Sequence, residues 1–239
     1  MKRRWLRRRL LVWSAAVVVL LLVVGAGLYV LMNSRTYQVA GRLISRAETD
    51  EKVVALTFDD GPTGHTPEIL KALADGGIPA TFYLIGSELA DHPEPGRAIA
   101  AAGHEIGNHS YHHRRMVFVT PGTVREEIER TDAEIAKTGY RGPVTFRPPY
   151  GKKLIALPRY LSAHDRTTVM WDVEPDSGKR PTTDEIVAET LDRVRPGSII
   201  LLHAMYDGGA AALAAIPRIA AELTARGYRF VTVSKLPGI

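Results

Sequence analysis

Val53-Val54-Ala55-Leu56-Thr57-Phe58-Asp59-Asp60-Gly61-Pro62 runs from an apolar, β-branched segment into two adjacent carboxylates and a Gly-Pro turn. It reads as a buried strand with acidic side chains at its far end. In sheets covered by helices, ligands gather at the carboxyl ends of strands. Alternation sends neighbouring side chains to opposite faces, so Asp59 and Asp60 need not share one task. One can bind a metal while the other handles a proton. Taken alone, the stretch is equally a solvated Asp-Asp-Gly turn.

Outward from this strand, helical and strand-like stretches alternate. Strands are expected at 52–58, 79–85, 104–108, 144–146, 167–171, 198–202 and 228–233. Thr66 should cap a helix with Pro67 at its first position, and one near 94–102 should stop at Gly103. A capping box at Thr123-Val124-Arg125-Glu126 should open a helix to Lys137, and Thr182 to Glu185 should cap one reaching Val194. A last helix should start near Pro217 and end at Gly227. Seven strand–helix alternations imply a parallel sheet with helices outside, better closed into a barrel than open, because polar clusters follow most strands.

The chain has 239 residues and no cysteine, which excludes disulfides and thiolate metal sites. A metal here must use His, Asp or Glu. The net charge is +5, but seven of the 31 Lys and Arg precede residue 36 and no acid does. The remainder carries 24 bases against 26 acids, a balance of −2, which removes the electrostatic motive for nucleic-acid binding. Leu10 to Met32 is free of charge, about 35 Å of helix and enough to cross a bilayer. Six bases precede it, so the positive-inside rule puts the body outside the cell. Cleavage near Gly25-Ala26-Gly27 is the competing reading, and would secrete the body instead. The expected organisation is a basic cytoplasmic tail at 1–9, a transmembrane signal anchor at 10–32, a linker at 33–50 and one catalytic domain at 51–239. No obligate protein partner is evident.

Four further stretches carry candidate chemistry. His109 and His113 are four apart, and with Asp59 or Asp60 they would make a two-His-one-carboxylate site. His112 leaves other pairings open. Arg147-Pro148-Pro149-Tyr150-Gly151 is too stiff for ordinary helix or central strand. His203 follows the buried run Ile199 to Leu202. Asp172, Glu174 and Asp176 lie after a strand, where any of them can orient a histidine or an arginine. These are the parts for metal-assisted hydrolysis.

Thr57-Phe58-Asp59-Asp60-Gly61, His109-Ser110-x-x-His113, Arg147-Pro148-Pro149-Tyr150 and Leu201-Leu202-His203 resemble, in order, the motifs of the polysaccharide deacetylases (the NodB-homology domain, carbohydrate esterase family 4). The likeness covers residues 50–236. It implies a distorted (β/α)7-type barrel, a divalent metal, usually zinc, and removal of N-acetyl groups from an aminosugar polymer. It implies Asp59 as general base, Asp60, His109 and His113 as metal ligands, and Arg147 as the partner of Asp59. The Tyr150 backbone N–H would stabilise the oxyanion, Leu201 would line the acetate pocket, and His203 would be the general acid, supported by Asp176. One motif departs: an Asp-x-x-Asp-Trp pattern is here Val173-Glu174-Pro175-Asp176-Ser177, which leaves the sugar groove, and so the substrate, less defined than the chemistry. Peptidoglycan is the expected substrate. A chitin-like oligomer, an O-acetyl ester or a non-sugar amide is the alternative.

Overall fold

A computed structural model describes residues 2–178 and 180–239. A long helix, α1 (Lys2–Asn33), precedes the body. Its stretch Trp13–Asn33 is long and apolar enough to cross a membrane, and none of it is buried by the body. It is therefore a candidate transmembrane span, as a signal anchor or a signal peptide.

The body is built on parallel strands. β1 (Leu43–Ile44) pairs with β5 (Thr168–Val169). β2 (Val53–Asp59) lies centrally in the order β4-β3-β2-β6, with β3 spanning Thr81–Leu84, β4 Glu105–Asn108 and β6 Ile199–Leu202. β7 (Arg229–Phe230) pairs with the first two residues of β2. Single-residue bridges complete the circuit: Phe146 joins Asn108 on one side and Thr168 on the other, and Val173 joins Ile200. The result is a distorted β/α barrel with helices outside.

Alternation sorts the side chains into two layers. Val54, Leu56 and Phe58 face the helices, together with Phe82, Leu84, Ile200 and Leu202. Val53 and Ala55 face the barrel interior, with Tyr83, Ile199 and Leu201. Burying one such aliphatic or aromatic side chain is worth roughly 1.5–3 kcal/mol. Asp59 therefore continues the inward line of Val53, Ala55 and Thr57, as the period of two dictates.

The helical layer comprises α2 (Thr66–Gly76), α3 (Gly86–Asp91), α4 (Pro93–Ala101), α5 (Pro121–Lys137), α6 (Ala156–Ala163), α7 (Thr183–Arg193) and α8 (Ala210–Ala225). The capping box at Thr182 and Glu185 forms as expected. Several local expectations fail. The N-cap of α2 is His65, because Thr66 is already helical and Pro67 follows it; the Thr66 hydroxyl instead accepts from the Thr63 N–H at 3.1 Å. α5 is capped by Thr120, not Thr123, since Pro121 starts the helix three residues early and the Thr120 hydroxyl accepts from the Thr123 N–H. α8 begins at Ala210 and carries Pro217 inside it. Its Ala-rich first turns and the burial of Ala212, Ala215, Ile216 and Ile219 outweigh the missing N–H. α3 and α6 were not anticipated. The stretch 144–146 yields only the bridge at Phe146. Residues 43–47, expected in a linker, belong to the sheet: β1 pairs with β5, Arg46 bridges Ser198, and Ala47 is buried.

Gly107 in β4 is needed for close approach. A Cβ there would lie 2.4 Å from the Tyr83 ring, which crosses the strand to meet the Thr145 hydroxyl at 2.9 Å. Gly107→Ala is expected to cost about 1–3 kcal/mol by overpacking. Chemical denaturation measures it, and an unchanged midpoint would contradict this packing.

Candidate active site

The candidate site lies at the carboxyl ends of β2, β4 and β6 and in the turns that follow. Its deepest member is Arg147, which is fully buried. Its Nη1 donates to Asp59 Oδ1 at 2.6 Å and to the Thr57 hydroxyl at 2.8 Å. Nε and Nη2 donate to the carbonyls of Val169 and Met170, and the guanidinium lies 4.1 Å from the Tyr83 ring centre. Burial opposes charge on Asp59. The Arg147 guanidinium, with His109 and His203, more than offsets it and holds the carboxyl below its ordinary value.

Asp60 leaves the strand with φ +73° and turns to a different set of partners. One carboxylate atom of Asp60, one ring nitrogen of His109 and one of His113 all lie within 4.8 Å of one another. Asp60 Oδ1 is buried and has no hydrogen-bond partner, while His113 Nε2 and His109 Nε2 stand 3.2 and 3.7 Å from it. His109 Nδ1 donates to the Arg147 carbonyl at 2.8 Å, which fixes the tautomer and leaves the Nε2 lone pair free. Burial lowers the pKa of both His109 and His113, favouring neutral imidazoles. Burial raises that of Asp60. A carboxylate oxygen without a hydrogen-bond partner beside two imidazole nitrogens is a donor set that would suit a divalent cation.

His203 continues the inward line of Ile199 and Leu201 past the end of β6. Its Nδ1 contacts Asp176 Oδ1 at 3.1 Å, and its backbone N–H donates to Asp176 Oδ2 at 2.5 Å. Burial works against charge on His203, but Asp176 outweighs it and pushes the imidazole up to about 9. Leu201 is fully buried beneath it. Tyr150 is half exposed with φ +57°, its ring 4.6 Å from that of His113. An open groove of about 650 Å³ reaches His203 and Asp176 past Tyr206 and Asp207.

The structure resolves choices that spacing left open. His112 turns away, its Nδ1 2.8 Å from Glu127. Of the three acids after β5, only Asp176 faces His203. Asp172 accepts from the Ser198 hydroxyl and the Ile199 N–H, and Glu174 pairs with Arg35 and the Trp171 Nε1–H. Glu127 was missed. It is buried, accepts the N–H groups of Tyr111 and His112 at 2.9 Å, and pairs with Arg114, so it fixes the loop that carries both histidines. A signal existed: Glu127 falls on the buried stripe of α5 with Val124, Ile128, Thr131 and Ile135.

Geometry of this kind, at strand ends of a β/α barrel, suits a hydrolase site. A model of the polysaccharide deacetylase family matches residues 46–169. A peptidoglycan-N-acetylglucosamine deacetylase of Bacillus cereus is 34% identical over 185 residues, covering 77% of this chain and 67% of the relative. A chitooligosaccharide deacetylase of Rhizobium leguminosarum bv. trifolii is 36% identical over 174 residues, 72% and 80% of the two chains. The crystal structure of a peptidoglycan N-acetylglucosamine deacetylase superposes with a TM-score of 0.77 at 31% identity, covering 80% of this chain and 91% of that one. The chain belongs to the polysaccharide deacetylase family, carbohydrate esterase family 4. It is a hydrolytic polysaccharide N-deacetylase.

Removing Arg147 should strand a buried carboxylate. Arg147→Met is expected to cost about 3–5 kcal/mol, and Asp59→Asn in the same chain should recover much of that loss. Chemical denaturation of the two single variants and the double variant gives the coupling; strictly additive losses would contradict the pairing.

Proposed function

We propose that this deacetylase is a membrane-anchored, divalent-metal-dependent enzyme that removes N-acetyl groups from peptidoglycan outside the cell. The observation that carries the reading is the orphaned Asp60 carboxylate among His109 and His113, set beside an Asp59 held ionised by Arg147. The names of the Bacillus cereus relative and of the superposed structure support peptidoglycan as the polymer. The anchor is the stretch 10–32, preceded by a basic cytoplasmic tail, and the catalytic domain is 51–239 with residues 43–47 added to its sheet.

Asp60, His109 and His113 would hold the cation, and two imidazoles with one carboxylate suit zinc. When bound, it supplies Lewis acidity, polarising the acetyl carbonyl and lowering the pKa of water. Asp59 takes the proton of the attacking water. The Tyr150 backbone N–H, presented by a left-handed turn, stabilises the oxyanion. Leu201 floors the space for the acetyl methyl. His203, kept protonated by Asp176, gives its proton to the departing nitrogen as the C–N bond breaks, releasing acetate and a free amine.

The full chain in detergent should contain about one equivalent of divalent metal and release acetate from peptidoglycan, and a chelator should stop the release. Asp60→Ala should lose both metal and activity. Metal-loaded protein that releases no acetate from peptidoglycan or from N-acetylglucosamine oligomers would refute the reading.

His203 acts in its protonated form, and Asp176 raises its pKa. Asp176→Asn should therefore move the alkaline limb of the rate profile to lower pH and reduce kcat. His203→Ala should reduce kcat by about 10²–10⁴ below the alkaline limb and abolish that limb. Rates measured across the pH range separate these outcomes, and an unmoved alkaline limb in Asp176→Asn would remove His203 from the acid role.

A further inference from the structure

The end of α1 is clasped to the body beside the site. The Lys153 N–H donates to the Met32 carbonyl at 3.3 Å, Lys152 Nζ reaches the Asn33 side chain, and Lys153 Nζ reaches the Ser34 carbonyl. Lysine side chains suit the unpaired carbonyls at a helix C-terminus. Immediately next to this clasp lies an open apolar groove of about 480 Å³, lined by Met116, Phe118, Val119, Leu154 and Ile155. Met116 bridges Lys153, so the groove and the clasp share a backbone segment.

Two features distinguish this surface. Phe118 has φ +52° and is 77% exposed, so a strained backbone displays a large aromatic ring to the outside. Ile155 is exposed beside it. The exposed side chains flanking it include bases. Arg115 and Arg159 are exposed there, whereas Arg114 pairs with Glu127, Lys152 and Lys153 are engaged with the end of α1, and Glu129 of α5 accepts from Tyr160 on the groove wall. Exposed apolar side chains flanked by exposed arginines, next to a helix that can cross a bilayer, match the interface of an anionic lipid leaflet.

We propose that the loop of Phe118 and Val119, with Ile155, rests in the headgroup region of an anionic bilayer, the same bilayer that α1 crosses. The inference rests on the membrane-anchor reading. It gives the body a second contact with the membrane, close to the candidate site. Arg115 marks how near the two are, because its guanidinium lies 4.4 Å from the Tyr150 ring centre.

The absence of cysteine permits a direct test. The full chain with Phe118→Cys, or with Ile155→Cys so that Phe118 is kept, is labelled with an environment-sensitive fluorophore. It is then reconstituted in phosphatidylcholine vesicles with and without phosphatidylglycerol. Asp50→Cys, on an exposed residue before the amino end of β2, is the reference. Lipids carrying a quencher near the headgroup should quench the labels at 118 and 155 at least about twofold more than the label at 50, and more so with phosphatidylglycerol present. Equal quenching at all three positions in chains that float with the vesicles overturns the docking surface and leaves the anchor standing. Chains that do not float with the vesicles overturn the anchor reading and this inference with it. Shielding of labels 118 and 155 by N-acetylglucosamine oligomers in detergent, without quenching in vesicles, assigns the groove to substrate and overturns the proposal.

Discussion

The buried pair of Arg147 and Asp59 is the constraint on which the rest depends. A guanidinium with no exposed surface must have its donors matched, and here they are matched by Asp59, Thr57 and the carbonyls of Val169 and Met170. That satisfaction ties β2, the turn after Phe146 and the end of β5 into one ring. A buried ion pair is poor value as a stabiliser, since apolar residues of equal volume commonly do as well. Its use lies elsewhere: it keeps a carboxylate ionised in a barrel interior otherwise filled by Tyr83, Trp171 and Leu201. A carboxylate prepared in this way is fixed before any substrate arrives, which is the condition the proposed general base must meet.

The donor set beside it is held by backbone strain. Asp60, Ser110, His113 and Tyr150 all have positive φ, which side-chain-bearing residues rarely adopt. Such strain persists only where the surroundings over-determine it. Here Glu127 gathers two consecutive N–H groups of the histidine loop, and Asn108 accepts the Ser110 N–H while donating to the Ile128 carbonyl and to Asp132. The strained turns of the loop after β4 are thereby anchored to a rigid helix, α5. The His109 ring is fixed from a second side by the Arg147 carbonyl, so the base pair and the proposed metal site share one residue as support.

Much of this was legible in the chain. Alternation along Val53 to Asp59 predicts that Asp59 and Asp60 face apart, and the structure sets Asp59 on the inner line while Asp60 turns away at the strand's end. His203 stands out in the sequence because it directly follows the buried run Ile199 to Leu202, and it lies just past the end of β6. What could not be read depended on partners distant in sequence. β1 has only two residues, and its pairing with β5 bridges more than 120 positions, so a polar segment looked like a tether. Glu127 has no motif of its own and acquires meaning only when α5 packs beneath the histidine loop. Spacing alone leaves Asp172, Glu174 and Asp176 equivalent; the family resemblance points to Asp176, and the turn after Val173 aims that carboxylate at His203. Local errors had local causes: Pro121 displaced a cap by three residues, and packing tolerated Pro217 within α8.

The end of α1 and the candidate site also share their supports. Glu174 accepts from Arg35, which stacks 4.6 Å from the centre of the Trp171 ring, and Trp171 donates to the same carboxylate. Two residues further on, Asp176 holds His203. On the other side, Lys152 and Lys153 grip the end of α1 two and three residues after Tyr150. The segment that follows the helix is thus packed down on the very turns that carry the proposed acid and the proposed oxyanion donor. A flexible linker would let the body take any orientation relative to α1. The clasped segment instead fixes the distance and orientation of the candidate site relative to the end of α1. With α1 held in a membrane, as proposed, only polymer passing at that level would meet Asp59, and reach would be traded for orientation.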